Sequence, residues 1–202
     1  MGKCYIIRGA APSEFGEVAE FCAGKGRDVR SREIVRRRKE WLLDMAGEGL
    51  VVVLAVDGTP PAHLKWRDTY VARDELTMLH DGLAVGLLEY LPIEKTLHPV
   101  AGEGYLFLDC LWVIPPYQGK EVGAALLSHL IREARGRGAG VATLSWRGPK
   151  PYPDWDYMPA AFFRRFGFEE IETAGETVLM ALDYRRTSKP ALVRGGDIEE
   201  KG

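Results

Sequence analysis

The chain has 202 residues, 46% hydrophobic and 28% charged, which suits one domain with a buried core, or one domain and a tail. Its formal net charge of −2 supplies no global basic field for nucleic acid. No run approaches the ~20 apolar residues of a membrane helix, and the opening MGKCYIIRGAAPSEF lacks the apolar core of a secretion signal.

A cytoplasmic protein with neither a membrane nor a nucleic-acid partner is therefore expected. The three cysteines, Cys4, Cys22 and Cys110, are odd in number and lack metal-ligand spacing. Reduced thiols and no metal are expected; a Cys4–Cys22 pair is the alternative.

In chain order, Tyr5–Arg8 reads as a short strand and Ser13–Cys22 as a short helix broken by Gly24 and Gly26. Ser31–Met45 is a clearer helix, with Ile34, Val35, Trp41, Leu42 and Met45 on one face. Its other face carries Arg36, Arg37, Arg38 and Lys39, read as a solvated basic run. Leu50–Val56 is a strand, turned at Asp57-Gly58, and Ala62–Tyr70 is expected to pair back onto it.

Ala84–Leu91 and Tyr105–Val113 are further strands, followed by a helix over Val122–Arg135 with an apolar stripe of Val122, Leu126, Leu127, Leu130, Ile131 and Ala134. Val141–Trp146 is a strand, Met158–Phe166 a short helix, and Glu169–Thr173 with Thr177–Tyr184 a closing hairpin. Asp156 is a candidate cap for the short helix. From Arg185 the sequence is polar and aperiodic, so residues 1–184 are read as one domain and 185–202 as a loose tail. The fold class is α/β in the mixed α+β sense, one layered structure.

The informative unit is the strand Tyr105–Val113, the turn Ile114–Gly119 and the helix that follows. Pro115 and Pro116 end the strand, because proline cannot donate to a ladder. The first N–H groups of a helix have no internal partner, and with the helix dipole they favour an anion such as phosphate. The turn lacks the Gly-Lys-Ser/Thr of a Walker loop and the G-x-G-x-x-G of a dinucleotide fold.

Gln118, Gly119, Lys120, Glu121, Val122 and Gly123 resemble the Q/R-x-x-G-x-G/A acetyl-CoA signature of the GNAT N-acetyltransferase superfamily. Val113, Pro115, Leu126 and Leu127 match its flanks, and Phe162 to Phe168 resembles a later F-Y-x-x-x-G-F helix. The strand ending Cys110-Leu111-Trp112-Val113 is similar to that of one GNAT subgroup, and the resemblance covers roughly Tyr5 to Tyr184. It implies a GNAT-like fold: a central mixed, mostly antiparallel twisted sheet of about 6–7 strands, with helices on both faces. Two departures stand out: Glu121 where the family prefers glycine, and Phe163 where many members carry a tyrosine acid.

The resemblance implies transfer of an acetyl group from acetyl-CoA to a primary amine by direct attack. The alternative is a CoA-binding or regulatory module without turnover. Backbone groups of Leu111, Trp112 and Val113 would hold the pantetheine arm. Those from Gln118 to Ala124 (Gln118, Gly119, Lys120, Glu121, Val122, Gly123, Ala124) would hold the pyrophosphate, and Phe162 and Phe163 would flank the arm.

The candidate base is Asp109, a carboxylate inside the apolar strand YLFLDCLWV, where an unpaired charge is costly; a structural carboxylate is its alternative. Glu89 is the second candidate, weighed against an edge-strand charge facing solvent. Tyr157, or Tyr152, could supply the missing acid. The histidines His63, His80, His98 and His129 show no cluster in sequence. The partners expected are CoA and an unidentified amine, with a homodimer left open.

Overall fold

The computed structural model describes residues 5–23, 29–66, 69–71, 76–148, 158–184 and 189–193. The strands are β1 (Ile6–Gly9), β2 (Val51–Asp57), β3 (Leu64–Trp66), β4 (Thr69–Val71), β5 (Met78–Leu79) and β6 (Gly82–Pro92), then β7 (Val100–Ala101), β8 (Tyr105–Val113), β9 (Gly140–Trp146), β10 (Glu169–Ala174), β11 (Thr177–Leu182) and β12 (Ala191–Leu192). The helices are α1 (Phe15–Ala23), α2 (Val29–Gly47), α3 (Val122–Arg137) and α4 (Ala160–Arg164). The main sheet has the order β1-β2-β6-β8-β9-β11-β10, with β5 paired to β6. It is mixed and mostly antiparallel. β8 and β9 run parallel from Tyr105↔Gly140 to Leu108↔Thr143, while β1–β2, β5–β6, β9–β11 and β10–β11 are antiparallel.

Two compact units divide the chain: residues 1–89 with 110–129, and residues 90–109 with 130–202. In the first, β2 (VVVLAVD) and β6 are buried over nearly their whole length, as their continuous apolar runs demand of strands covered on both faces. The two faces of β6 meet different helices. A Cβ at Gly86 would lie 2.8 Å from the Val122 side chain of α3. Glu89, three residues on and so on the opposite face, meets Arg38 of α2.

The α3 stripe read from the sequence is largely buried at Val122, Leu126, Leu127, Leu130 and Ala134. The helix ends where the Gly138 N–H reaches the Arg135 carbonyl (3.0 Å) and the Ala139 N–H that of Ala134 (2.8 Å), a cap that needs the φ of +63° glycine supplies. No helix among the described residues is long and apolar enough to cross a membrane.

One expectation changes. The segment expected to pair back onto β2 instead closes on itself, β3 against β4, with Leu64 opposite Val71. Within the segment read as a loose tail, Ala191 and Leu192 pair with Ala101 and Val100. The Leu192 N–H also donates to Glu172 (2.9 Å). A two-residue pairing leaves no periodicity to read in a sequence.

The first unit carries a charged clasp. Arg8 donates to both oxygens of Asp81 (2.6 and 2.9 Å) and of Glu14 (2.9 and 2.7 Å). These bonds hold both carboxyls below their ordinary values. Groups with lowered native pKa stabilise above their unfolded values, and that stability is lost as pH falls through the native ones. Arg8→Met is therefore expected to cost roughly 1 kcal/mol at pH 7. The gap to wild type should close in urea titrations carried below the carboxylate range; a gap independent of pH would contradict this origin.

Candidate functional site

β8 ends at Val113, and Pro115–Tyr117 forms a single 3-10 turn before α3. Its amides are partly engaged: Tyr117 N–H donates to Ile114 (2.9 Å), Gln118 N–H to Pro115 (3.2 Å) and Lys120 N–H to Tyr117 (3.4 Å). The Gln118 side-chain amide donates to the Val113 carbonyl (3.0 Å), closing the turn against the strand end. Gly119 has φ +71° with open space around it, and Glu121 has φ +62°. Glu121 is the single non-glycine residue with positive φ among the described residues.

A side chain in that region costs roughly 1–2 kcal/mol, which is the physical reason a glycine suits the position. The Glu121 carbonyl accepts the first helical bond, from Ala125 (2.9 Å). The amides of Val122, Gly123 and Ala124 thus form the open first turn of α3. Gln118, Gly119, Lys120 and Glu121 are all exposed, and the Lys120 ammonium lies 5.1 Å from the Tyr117 ring centroid.

Tyr117 anchors this loop. It is buried, and its hydroxyl donates to Asp57 Oδ2 (2.5 Å). Burial, and then the Asp57 carboxylate, push its pKa above the ordinary tyrosine value. The Tyr5 ring meets it edge-on at 6.1 Å. Nothing in the sequence singles Tyr117 out; a tyrosine one residue before the signature's glutamine reads as an ordinary loop aromatic.

Of the acidic candidates, Asp109 is 20% exposed, and its Oδ1 lies 3.3 Å from His98 Nε2. The histidine was missed in sequence because its partner lies across a loop and a turn. Glu89 is neither on an edge nor in water. It is fully buried in a strand interior to the sheet order and forms an ion pair with Arg38. Arg38 accordingly departs from the solvated face expected of its run, whereas Arg36 and Arg37 are exposed and bonded to Glu33.

In the second unit, α4 starts after Pro159 rather than at Asp156, which with Tyr152 and Tyr157 lies outside the described residues. Phe163 is 1% exposed, against Phe168 (5.4 Å) and Phe162 (5.3 Å), while Phe162 is half-buried.

The model of the acetyltransferase (GNAT) family matches residues 27–168. The chain belongs to that family. The N-acetyltransferase YoaP of Bacillus subtilis is 29% identical over 130 residues, 61% of this chain and 50% of that one, so the chain spans about half the length of this curated relative. The GNAT fold recurs in two solved structures. PaiA N-acetyltransferase from Thermoplasma acidophilum, in complex with coenzyme A, has a TM-score of 0.54 at 15% identity, covering 90% of this chain and 99% of that one. A GNAT-family acetyltransferase from Brucella melitensis, in complex with acetyl-CoA, has 0.51 at 21%, covering 91% and 90%.

In this GNAT domain the loop before α3 depends on the Tyr117–Asp57 bond. Tyr117→Phe leaves a buried carboxylate short of a donor. It is expected to destabilise by about 1.5–3 kcal/mol in chemical unfolding; a change below about 0.5 kcal/mol would show that the bond does not hold the loop.

Proposed function

We propose that this GNAT domain transfers an acetyl group from acetyl-CoA to a primary amine by direct attack of the amine on the thioester. The observation that carries the reading is the loop after β8. Its left-handed Gly119 and Glu121 expose the first turn of a sixteen-residue helix, an arrangement that favours a bound phosphate. Because Gln118 and Lys120 already donate within the turn, the pyrophosphate is assigned to the amides of Gly119, Glu121, Val122, Gly123 and Ala124. The Lys120 ammonium adds positive charge. Backbone groups of Leu111, Trp112 and Val113 take the pantetheine arm as an added strand would. Phe162 is half-buried and the better placed of the two for apolar contact with the arm, whereas Phe163 is committed to its own cluster and has no hydroxyl to protonate a thiolate.

An amine of pKa near 10 is mostly protonated at neutral pH and must lose a proton before attack. Asp109, part-exposed on β8 beside Leu111, is the acidic side chain that serves this step. Glu89, sealed in its ion pair with Arg38, is better suited to fixing α2 on β6. A second reading, a CoA-binding module without turnover, draws on Phe163 in place of an acid and on the carboxylate of Glu121 beside the phosphate site.

Calorimetry with CoA and thiol release with a panel of primary amines separate these readings. Binding with release supports transfer, binding without release across the panel supports the module, and absence of binding overturns both. Glu121→Gly removes both the strain and a negative charge, and is expected to tighten CoA binding about three- to tenfold. Asp109→Asn is expected to lower kcat about 100-fold while leaving the CoA isotherm unchanged; an unchanged kcat would remove Asp109 from the chemistry.

A further inference from the structure

We infer that His98 is the group that takes the proton from the acceptor amine and that Asp109 is its positioning residue. This inference rests on the transferase reading above and names the base within it. Three observations carry it.

First, the two side chains are brought together within one unit, His98 Nε2 at 3.3 Å from Asp109 Oδ1, and neither is sealed away: 31% and 20% of their side chains are exposed. A proton acceptor for a substrate needs that access, which fully buried Glu89 lacks. Second, the imidazole is oriented. Its ring lies 5.2 Å from that of Phe107, which stands on the same face of β8 as Asp109.

Third, the backbone beneath it is fixed. The His98 N–H donates to Thr96 Oγ1 (3.2 Å), and its carbonyl accepts from Val100 N–H (2.7 Å). β12 clamps the next residues, with Val193 N–H on the Pro99 carbonyl (2.9 Å) and Leu192 opposite Val100. A plain surface histidine needs none of this support.

The chemistry favours the imidazole over the carboxylate. Imidazole is the side chain used most often as a general base near neutral pH, and a carboxylate beside it commonly orients the ring. In the proposed arrangement the carboxylate beside Nε2 favours the N–H on that nitrogen, gives Nδ1 the acceptor role, and stabilises the imidazolium that forms. The ammonium of the acceptor gives one proton to Nδ1. The freed nitrogen lone pair attacks the thioester carbon, forming the C–N bond, and the C–S bond breaks with its electron pair on sulfur. A second proton from the attacking nitrogen ends on the CoA thiolate, and the imidazolium returns the first to solvent. The sum is amide, CoA thiol and one proton.

The test uses the full chain with an amine that wild type acetylates. His98→Ala is expected to lose about 100-fold in kcat with its CoA isotherm unchanged, and His98→Gln to lose as much. Added imidazole should restore turnover to His98→Ala, and more strongly basic substituted imidazoles should restore more. A packing role predicts no such rescue. Turnover within about threefold of wild type, or a loss that no imidazole restores, overturns the assignment. Nitrogen NMR of the histidines, which needs no turnover, should find His98 as the Nε2–H tautomer in wild type and as a mixture in Asp109→Asn; an unchanged tautomer overturns the role of Asp109. If wild type acetylates no amine, the transferase reading falls, and the assignment of His98 as base falls with it. The tautomer result still decides, separately, whether Asp109 positions the ring.

Discussion

The Tyr117 hydroxyl on Asp57 is the interaction on which the loop of the first unit depends. A carboxylate that is 1% exposed is costly unless its oxygens are bonded. Here Oδ1 accepts the Thr59 N–H (3.1 Å) and Oδ2 the Tyr117 hydroxyl. One oxygen therefore closes the turn that ends β2, and the other holds the segment between β8 and α3. The start of β6 is pressed against the same place, since a Cβ at Gly82 would lie 2.4 Å from the Asp57 carbonyl oxygen. The buried charge thus ties two chain segments, the turn after β2 and the loop before α3, and moving either would cost it a bond.

Against that anchor, the strain at Glu121 acquires a meaning. The loop is held at its Tyr117 end and continues into α3, packed by Val122 and Leu126 close over Gly86. The residues between must turn sharply. Two left-handed positions perform the turn, and glycine occupies only one of them. The second is imposed on a glutamate because both ends of the loop are fixed elsewhere.

Much of this was legible in the sequence. β8 begins and ends where its apolar run does, and the α3 stripe and the turn before it follow from periodicity and proline placement. What could not be read were partners. Arg38 sits among four consecutive basic residues, and nothing local marks the one that turns inward to Glu89. Asp109 was recognisable as a carboxylate in need of a partner, but His98 is eleven residues away across an aperiodic loop. β3–β4 pairs within itself because its strands are three residues long and carry too little pattern to specify a register with β2. Local pattern fixes elements; burial and pairing between distant residues need the folded chain.

The short pairing of β12 with β7 has a consequence for how the protein is made. Leu192 and Val100 lie some ninety residues apart, so this contact waits until the chain through residue 193 has left the ribosome. The segment from β8 to α3 is local and complete long before. Contacts of such long range add to the entropy that folding must overcome, and they form late. A nascent chain therefore builds the turn and helix of its signature segment first and secures the His98 loop only once residue 193 is out.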